Sequence, residues 1–231
     1  MQTQILFEDQ DIIVAYKPAG LAVQTAQLGR QDMESELKNH FRQPFLGVVH
    51  RLDQPVEGVL VFGKTPKSTA GLNRQLSEDD FCKEYLAVVC GLPSSKEQQL
   101  VDYLVKDGSS ARICASADAE KEHAKKAVLH YEIVETIKIP KLDIDASLSL
   151  LKVTLQTGRF HQIRAQLSKL GNPLLGDSKY GTSESTLLSQ KLNIRNVALC
   201  AHRLVFKHPV SNEKMEYCVS PKNVAFAFFQ E

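Results

Sequence analysis

The sequence predicts an α+β fold, and three observations predict it. Short β-branched runs separated by turn residues recur through most of the chain. One segment, after Thr157-Gly158, switches to a helical period. No internal repeat, low-complexity tract or Pro/Gly/Ser linker divides the 231 residues, so residues 1–231 read as a single domain.

The elements follow in order. Ile5-Leu6-Phe7, the polar Glu8-Asp9-Gln10-Asp11 and the apolar Ile12 to Tyr16 read as strand, turn and strand, ended by Lys17-Pro18-Ala19-Gly20. Val48-Val49 and Val59 to Phe62 are two further strands around the polar loop Arg51 to Glu57. Ser68 to Leu76 suits a helix, and Tyr85 to Val89 a buried strand. Gly91 to Gln99 is turn-rich, and Asp107 to Lys126 reads as surface connection or loose hairpin. Val128 to Val134 and Leu148 to Leu155 resume strand character, with Pro140 at a turn between them. Phe160, Ile163, Leu167 and Leu170 then fall on one helical stripe closed by Gly171-Asn172-Pro173, with His161, Arg164 and Ser168 beside it. Gly181 to Ser185 reads as a loop and Leu199 to Phe206 as a late strand.

Composition excludes several classes. Lys and Arg number 28 against 27 Asp and Glu, a net +1, which rules out a broad basic nucleic-acid coat but not a local groove. At 43% hydrophobic and 24% charged the chain is neither disordered nor fibrous. Five scattered cysteines without a Cys-x-x-Cys pair read as reduced thiols of a cytoplasmic protein, with no structural zinc. The first apolar run is too short for a signal or membrane segment.

Two segments combine ionisable residues with tight turns. In His50-Arg51-Leu52-Asp53-Gln54-Pro55-Val56-Glu57-Gly58 a carboxylate sits in a loop between two strands, either as a functional group or as a turn-former accepting backbone hydrogen bonds. In Gly158-Arg159-Phe160-His161-Gln162-Ile163-Arg164 the last guanidinium lies at the edge of the apolar stripe. It either finds a carboxylate, for which Asp53 is the natural candidate, or snorkels to solvent. Lys83-Glu84-Tyr85 stands at a strand start, where a Tyr is strand-face filler as readily as a reacting group. From Arg159 to Gly181 four basic residues face one acid, a local excess of +3.

These motifs resemble, in order, those of the RluA-type pseudouridine synthase family. The resemblance rests on His50-Arg51-Leu52-Asp53 with Gly58 to Lys64, on Lys83-Glu84-Tyr85, and on Thr157 to Arg164 running on to Gly176-Asp177 and Tyr180-Gly181. Lys17-Pro18-Ala19-Gly20 and Leu199 to Pro209 are also similar, so it covers about Ile5 to Pro221. It implies a mixed, mostly antiparallel sheet flanked by helices and loops around a central cleft. It also implies isomerisation of uridine to pseudouridine in ribosomal or transfer RNA, without metal or organic cofactor, by a protein expected to be a cytoplasmic monomer.

By the same resemblance Asp53 is the catalytic carboxylate, Tyr85 stacks on the extruded uracil, and Arg164 pairs with Asp53. Arg51 enters the space the flipped nucleotide leaves, and Ile163 gives the base an apolar floor, a role that ordinary core packing explains equally well. Lys83, Arg159, His161 and Gln162 are expected to contact substrate. The sequence departs from the family at Val56-Glu57, where Thr-Ser is usual, so Glu57 is expected to bring a second negative charge near the RNA. Ala165-Gln166 and Cys200 are further departures, and an S4-type RNA-binding module is expected to be missing. Two other readings suit the same residues: a weakly active RNA-binding or ribosome-assembly factor, and a metal-dependent hydrolase using His50, Asp53 and His161, which lacks a compact ligand motif.

Overall fold

The computed structural model describes residues 2–26, 29–78, 80–139 and 146–229. In chain order the strands are β1 (Gln4–Glu8), β2 (Ile12–Lys17), β3 (Gly47–Val48), β4 (Glu57–Gly63), β5 (Cys82–Cys90), β6 (Glu97–Asp107), β7 (Ser110–Cys114), β8 (Lys125–Ile139), β9 (Ala146–Leu155), β10 (Leu199–Lys207) and β11 (Lys214–Cys218). The helices are α1 (Met33–Phe41), α2 (Pro66–Ser77), α3 (Gln162–Lys169) and α4 (Ser183–Lys191). The predicted α+β class holds. The chain forms two compact units, Met1–Glu84 with Cys200–Lys222 and Tyr85–Leu199 with Asn223–Glu231.

In the first unit β2 lies between β1 and β4, antiparallel to both. Asp9 makes the turn before β2 by accepting the N–H groups of Asp11 and Ile12 at 2.8 Å each. β10 runs parallel to the start of β4, pairing Cys200 with Glu57 and Ala201 with Gly58. Gly58 has φ +132, and a Cβ there would stand 2.5 Å from the Ala201 backbone, so only glycine permits this pairing directly after the Asp53 loop. β2 and β4 are buried along their whole length, which explains their continuous apolar runs. Helix α2 starts at a Thr65/Ser68 capping box and is fastened by Gln75, whose side chain exchanges two hydrogen bonds with Lys207 at 2.7 and 2.8 Å. Ile12, Val14, Val59, Val61, Leu72, Leu204 and Phe206 form the core beneath it.

In the second unit β8 pairs antiparallel with β9 and β6, and β6 with β7. β6 is an eleven-residue strand where the sequence offered only a turn-rich stretch and a loose hairpin. Leu100, Asp102 and Leu104 are buried while Val101 between them is 48% exposed, so a charge takes a buried position and an apolar side chain an exposed one, which hides the usual alternation. Helix α4 begins inside the segment read as a loop. Thr182 and Ser185 form a capping box there, with Ser taking the place of the more familiar Glu or Gln. Helix α1, capped by Asp32 on the Ser35 N–H at 2.8 Å, and β11 are elements the periodicity did not reveal. The turn expected at Pro140 lies outside the described residues.

Candidate active site

The Asp53 loop is anchored from below by Lys17. The Lys17 side chain is fully buried, and its ammonium donates to the carbonyls of Pro18 at 3.0 Å, Leu21 at 2.6 Å and Gln54 at 3.0 Å. Three acceptors match the three protons of an ammonium. Burial pushes Lys17 down to about 7, opposed by the negative charges of Asp53 and Glu57. Two further bonds lace the same loops together: Gly20 N–H to the Gln54 carbonyl at 2.8 Å and Gln54 Nε2 to the Gly20 carbonyl at 2.9 Å. Asp53 is half-buried at the top of this loop, its carbonyl accepting the Val56 N–H at 3.0 Å. Arg51 is exposed beside it and Leu52 is buried.

Glu57 does not face solvent as the sequence suggested. It is 2% exposed and accepts the Tyr16 hydroxyl at 2.5 Å and the Lys222 N–H at 2.9 Å. The position after Val56 opens β4, so the side chain is carried into the unit's interior, where it fastens residues 16 and 222. Desolvation and the Glu57 carboxylate raise Tyr16 far above the ordinary phenol range, so its proton stays in that bond. His50 receives the Val61 N–H on Nε2 at 3.3 Å and packs edge-on to Phe81. Burial and the Lys83 charge push its pKa down to about 3, so it is a neutral buttress of the loop. That bond uses a nitrogen the metal reading needed, and no group of three or more His, Cys, Asp or Glu suited to a metal occurs among the described residues.

The second unit carries the other motif. Gln162 shapes the start of α3: its Oε1 accepts the Arg159 N–H at 2.9 Å and the Thr157 hydroxyl at 2.8 Å, tying the Thr157-Gly158-Arg159 turn to the helix. His161, the N-cap, adopts φ 54. Gln162 to Leu167 are all buried, so α3 is inserted in the unit and does not lie on it by one stripe. Phe160, read as part of that stripe, is outside the helix and 40% exposed, stacked on the His161 ring at 3.8 Å between centroids. Ile163 is 4% exposed. Arg159 is exposed, with Nε on the Lys126 carbonyl at 2.9 Å.

Arg164 is 5% exposed, more deeply buried than a residue at a stripe edge, and the anion on it is one the sequence reading passed over. Asp177 accepts Arg164 Nε at 2.7 Å and Nη2 at 2.8 Å, a bidentate pair. Asp177 also accepts the N–H groups of Lys179 and Tyr180 at 3.0 and 3.1 Å. It is placed by Gly176, whose φ of +79 and close approach to the Asn196 carbonyl exclude a Cβ. Tyr180 joins the three residues predicted to share a side of α3. Its hydroxyl lies 2.8 Å from His161 Nδ1, the Arg164 guanidinium lies 5.1 Å from its ring centre, and Ser168 donates to its carbonyl at 2.6 Å. The same hydroxyl accepts the Ala111 N–H at 2.6 Å.

The structure therefore gathers Arg159, His161, Gln162, Ile163 and Arg164 around the start of α3, and Arg51 with Asp53 in one loop. Lys83 and Tyr85 lie in β5, half-buried and buried respectively. Lys17, Asp177 and Tyr180 were quoted only as motif letters, yet each anchors one of these groups. The local +3 is weaker than the tally suggests, because Lys169 pairs with Asp102 from β6.

The motifs that carry Asp53, Tyr85 and Arg164 point to a class of RNA-modifying isomerases. Residues 11–169 match the family model described as RNA pseudouridylate synthase, and the chain belongs to that family. It is 31% identical over 226 residues to ribosomal large subunit pseudouridine synthase D of Zymomonas mobilis, covering 93% of this chain and 68% of the relative. It is 32% identical over 228 residues to the protein of the same name from Vibrio cholerae, covering 92% and 65%. It is 28% identical over 226 residues to tRNA pseudouridine synthase C of Haemophilus ducreyi, covering 93% and 89%. The chain thus spans about two thirds of the length of the ribosomal relatives and most of the transfer-RNA one. Human RNA pseudouridylate synthase domain containing 1 superposes with a TM-score of 0.75 at 21% identity, covering 95% of this chain and 83% of that one, which shows the fold. No helix among the described residues is long and apolar enough to cross a membrane.

Proposed function

We propose that the chain is an RNA pseudouridine synthase acting on ribosomal or transfer RNA as a single-domain, cytoplasmic monomer that needs neither metal nor organic cofactor. The observation that carries this reading is the family match over residues 11–169, which takes in Asp53, Tyr85 and Arg164 together. The reaction breaks the C1′–N1 bond of uridine, turns the detached uracil and joins C1′ to C5. The proton on C5 leaves and N1 gains one, so no atom is added overall. Asp53 supplies the nucleophile, a carboxylate that needs no separate base to activate it.

Family resemblance assigns Arg164 to Asp53, and Asp177 supports that assignment: by holding Nε and Nη2 it fixes the plane of a guanidinium that has five N–H donors to give. Tyr85 stacks on uracil, a contact worth about 1–3 kcal/mol. Arg51 replaces the flipped nucleotide in its strand. Lys83, Arg159, His161, Gln162 and Ile163 form the surrounding contacts.

The test compares wild type with Asp53→Asn on transcripts of ribosomal and transfer RNA. The variant is expected to fold and bind RNA but to form no pseudouridine, read by release of tritium from C5-labelled uridine. Turnover within tenfold of wild type would overturn the role of Asp53. A chelator is expected to leave the rate unchanged.

A further inference from the structure

A cavity of about 280 Å³ opens beside the Asp53 loop, lined by Ala22, Val23, Gln24, Thr25, Arg30, Arg51, Leu52 and Gln54. Its lining includes Leu52 and Gln54, on either side of Asp53, but not Asp53 itself. Its volume lies just below the range of ordinary small-molecule sites, which suits one unit of a polymer better than a free metabolite. Two arginines and no acid line it, in a chain whose overall charge is +1. The lining also offers hydroxyl and amide groups from Thr25, Gln24 and Gln54, and an apolar surface from Ala22, Val23 and Leu52.

The two walls of this cavity are fastened to each other before any ligand arrives. Residues 20 to 21 and residue 54 are joined through the Lys17 ammonium and through the reciprocal Gly20 and Gln54 bonds. The far end of the first wall is held by Asp32, which accepts the Thr25 N–H at 2.7 Å and caps α1. A preformed concave site with two guanidiniums binds a phosphodiester without paying to order its walls.

We propose that this cavity is a subsite for one phosphodiester and its attached nucleotide in the RNA strand next to the target uridine, with Arg30 as a second phosphate-binding arginine beside Arg51. This rests on the RNA substrate of the proposed function. Arg51 comes from the Asp53 loop, whereas Arg30 comes from the segment before α1, so the two reach the strand from different segments of the lining. Arg30 is exposed, and the melting temperature of each Arg30 variant reads whether its replacement disturbs the fold.

The experiment measures binding of a fluorescein-labelled single-stranded oligouridylate by anisotropy across a potassium chloride series, for wild type, Arg30→Gln and Arg30→Lys, alongside tritium release from RNA transcripts. For Arg30→Gln the affinity is expected to fall about fivefold to tenfold, and the slope of log affinity against log salt to shrink by about 0.7, the loss of one single-strand phosphate contact. Arg30→Lys is expected to keep the slope while losing part of the affinity, because the charge stays and the bidentate fork goes. An Arg30→Gln protein with wild-type melting temperature, affinity and slope overturns the subsite, as does a wild type that does not bind the oligonucleotide. If wild type binds with this Arg30 dependence but releases no tritium from any transcript, the subsite stands and the proposed function fails.

Discussion

Replacing Asp177 by Asn tests how much Arg164, the guanidinium proposed to serve the reaction, depends on the carboxylate that holds it. The Asp177 side chain is 1% exposed and the Arg164 side chain 6% exposed, so solvent cannot take over for a lost partner. Asp177 accepts four hydrogen bonds, from Arg164 Nε and Nη2 and from the N–H groups of Lys179 and Tyr180. Asn keeps one acceptor oxygen. If that oxygen stays on the three donors served by Oδ1, the amide NH₂ confronts Arg164 Nε, and a charge-assisted bond worth roughly 1.5–3 kcal/mol becomes a donor facing a donor. Loss of one partner of a buried ion pair costs roughly 3–5 kcal/mol in all. At about 2–4 °C per kcal/mol for a chain of this size, the midpoint of thermal unfolding is expected to fall by roughly 6–20 °C. Turnover is expected to fall at least tenfold at a temperature where the variant is still folded, with RNA affinity changed much less. Circular dichroism melts and the tritium-release assay read the two effects. An Asp177→Asn protein with wild-type melting and wild-type turnover refutes the argument that this pair orients Arg164.

The remaining expectations concern the scaffold of the Asp53 loop. Lys17→Met leaves the carbonyls of Pro18, Leu21 and Gln54 without their buried donor, at about 1–3 kcal/mol for each group that water cannot reach, and chemical denaturation measures the loss. Activity unchanged in Lys17→Met would show that the loop holds its shape without the cage. Glu57→Ala removes the acceptor for Tyr16 and Lys222 and is expected to destabilise by roughly 2–4 kcal/mol with little change in RNA affinity; a marked gain in affinity would restore the view that Glu57 repels the substrate. His50 is held neutral, its folded pKa near 3 lying below the usual 6.5. Between those values the unfolded chain binds the proton that the folded one refuses, so stability falls as pH drops from about 6.5 toward 3, by up to about 1.4 kcal/mol per pH unit. Denaturant midpoints at pH 7, 6, 5 and 4 check this, and His50→Gln is expected to flatten that part of the profile.

Much of this protein was legible in its sequence. The buried strands β2 and β4 announce themselves as unbroken apolar runs, because a strand covered on both faces needs no polar alternation. Asp53, Tyr85 and Arg164 are singled out by the family resemblance of the motifs that hold them, since residue type and position alone also allow a turn-former, a strand-face filler and a snorkelling Arg. β6 and α4 were hidden for the opposite reason: one buries Asp102 and exposes Val101 against the usual alternation, and the other starts at a Thr/Ser cap that looks like a loop. What only the tertiary structure decided is the partner of each buried charge. That Arg164 rests on Asp177, that Glu57 turns inward to Tyr16 and Lys222, and that Lys17 holds two loops by their carbonyls all depend on groups brought together by folding. Glu57 and Lys222 are 165 residues apart in sequence, and no local period encodes such a meeting. A charge taken from water must find its counterpart wherever the fold supplies one, and that choice is made in three dimensions.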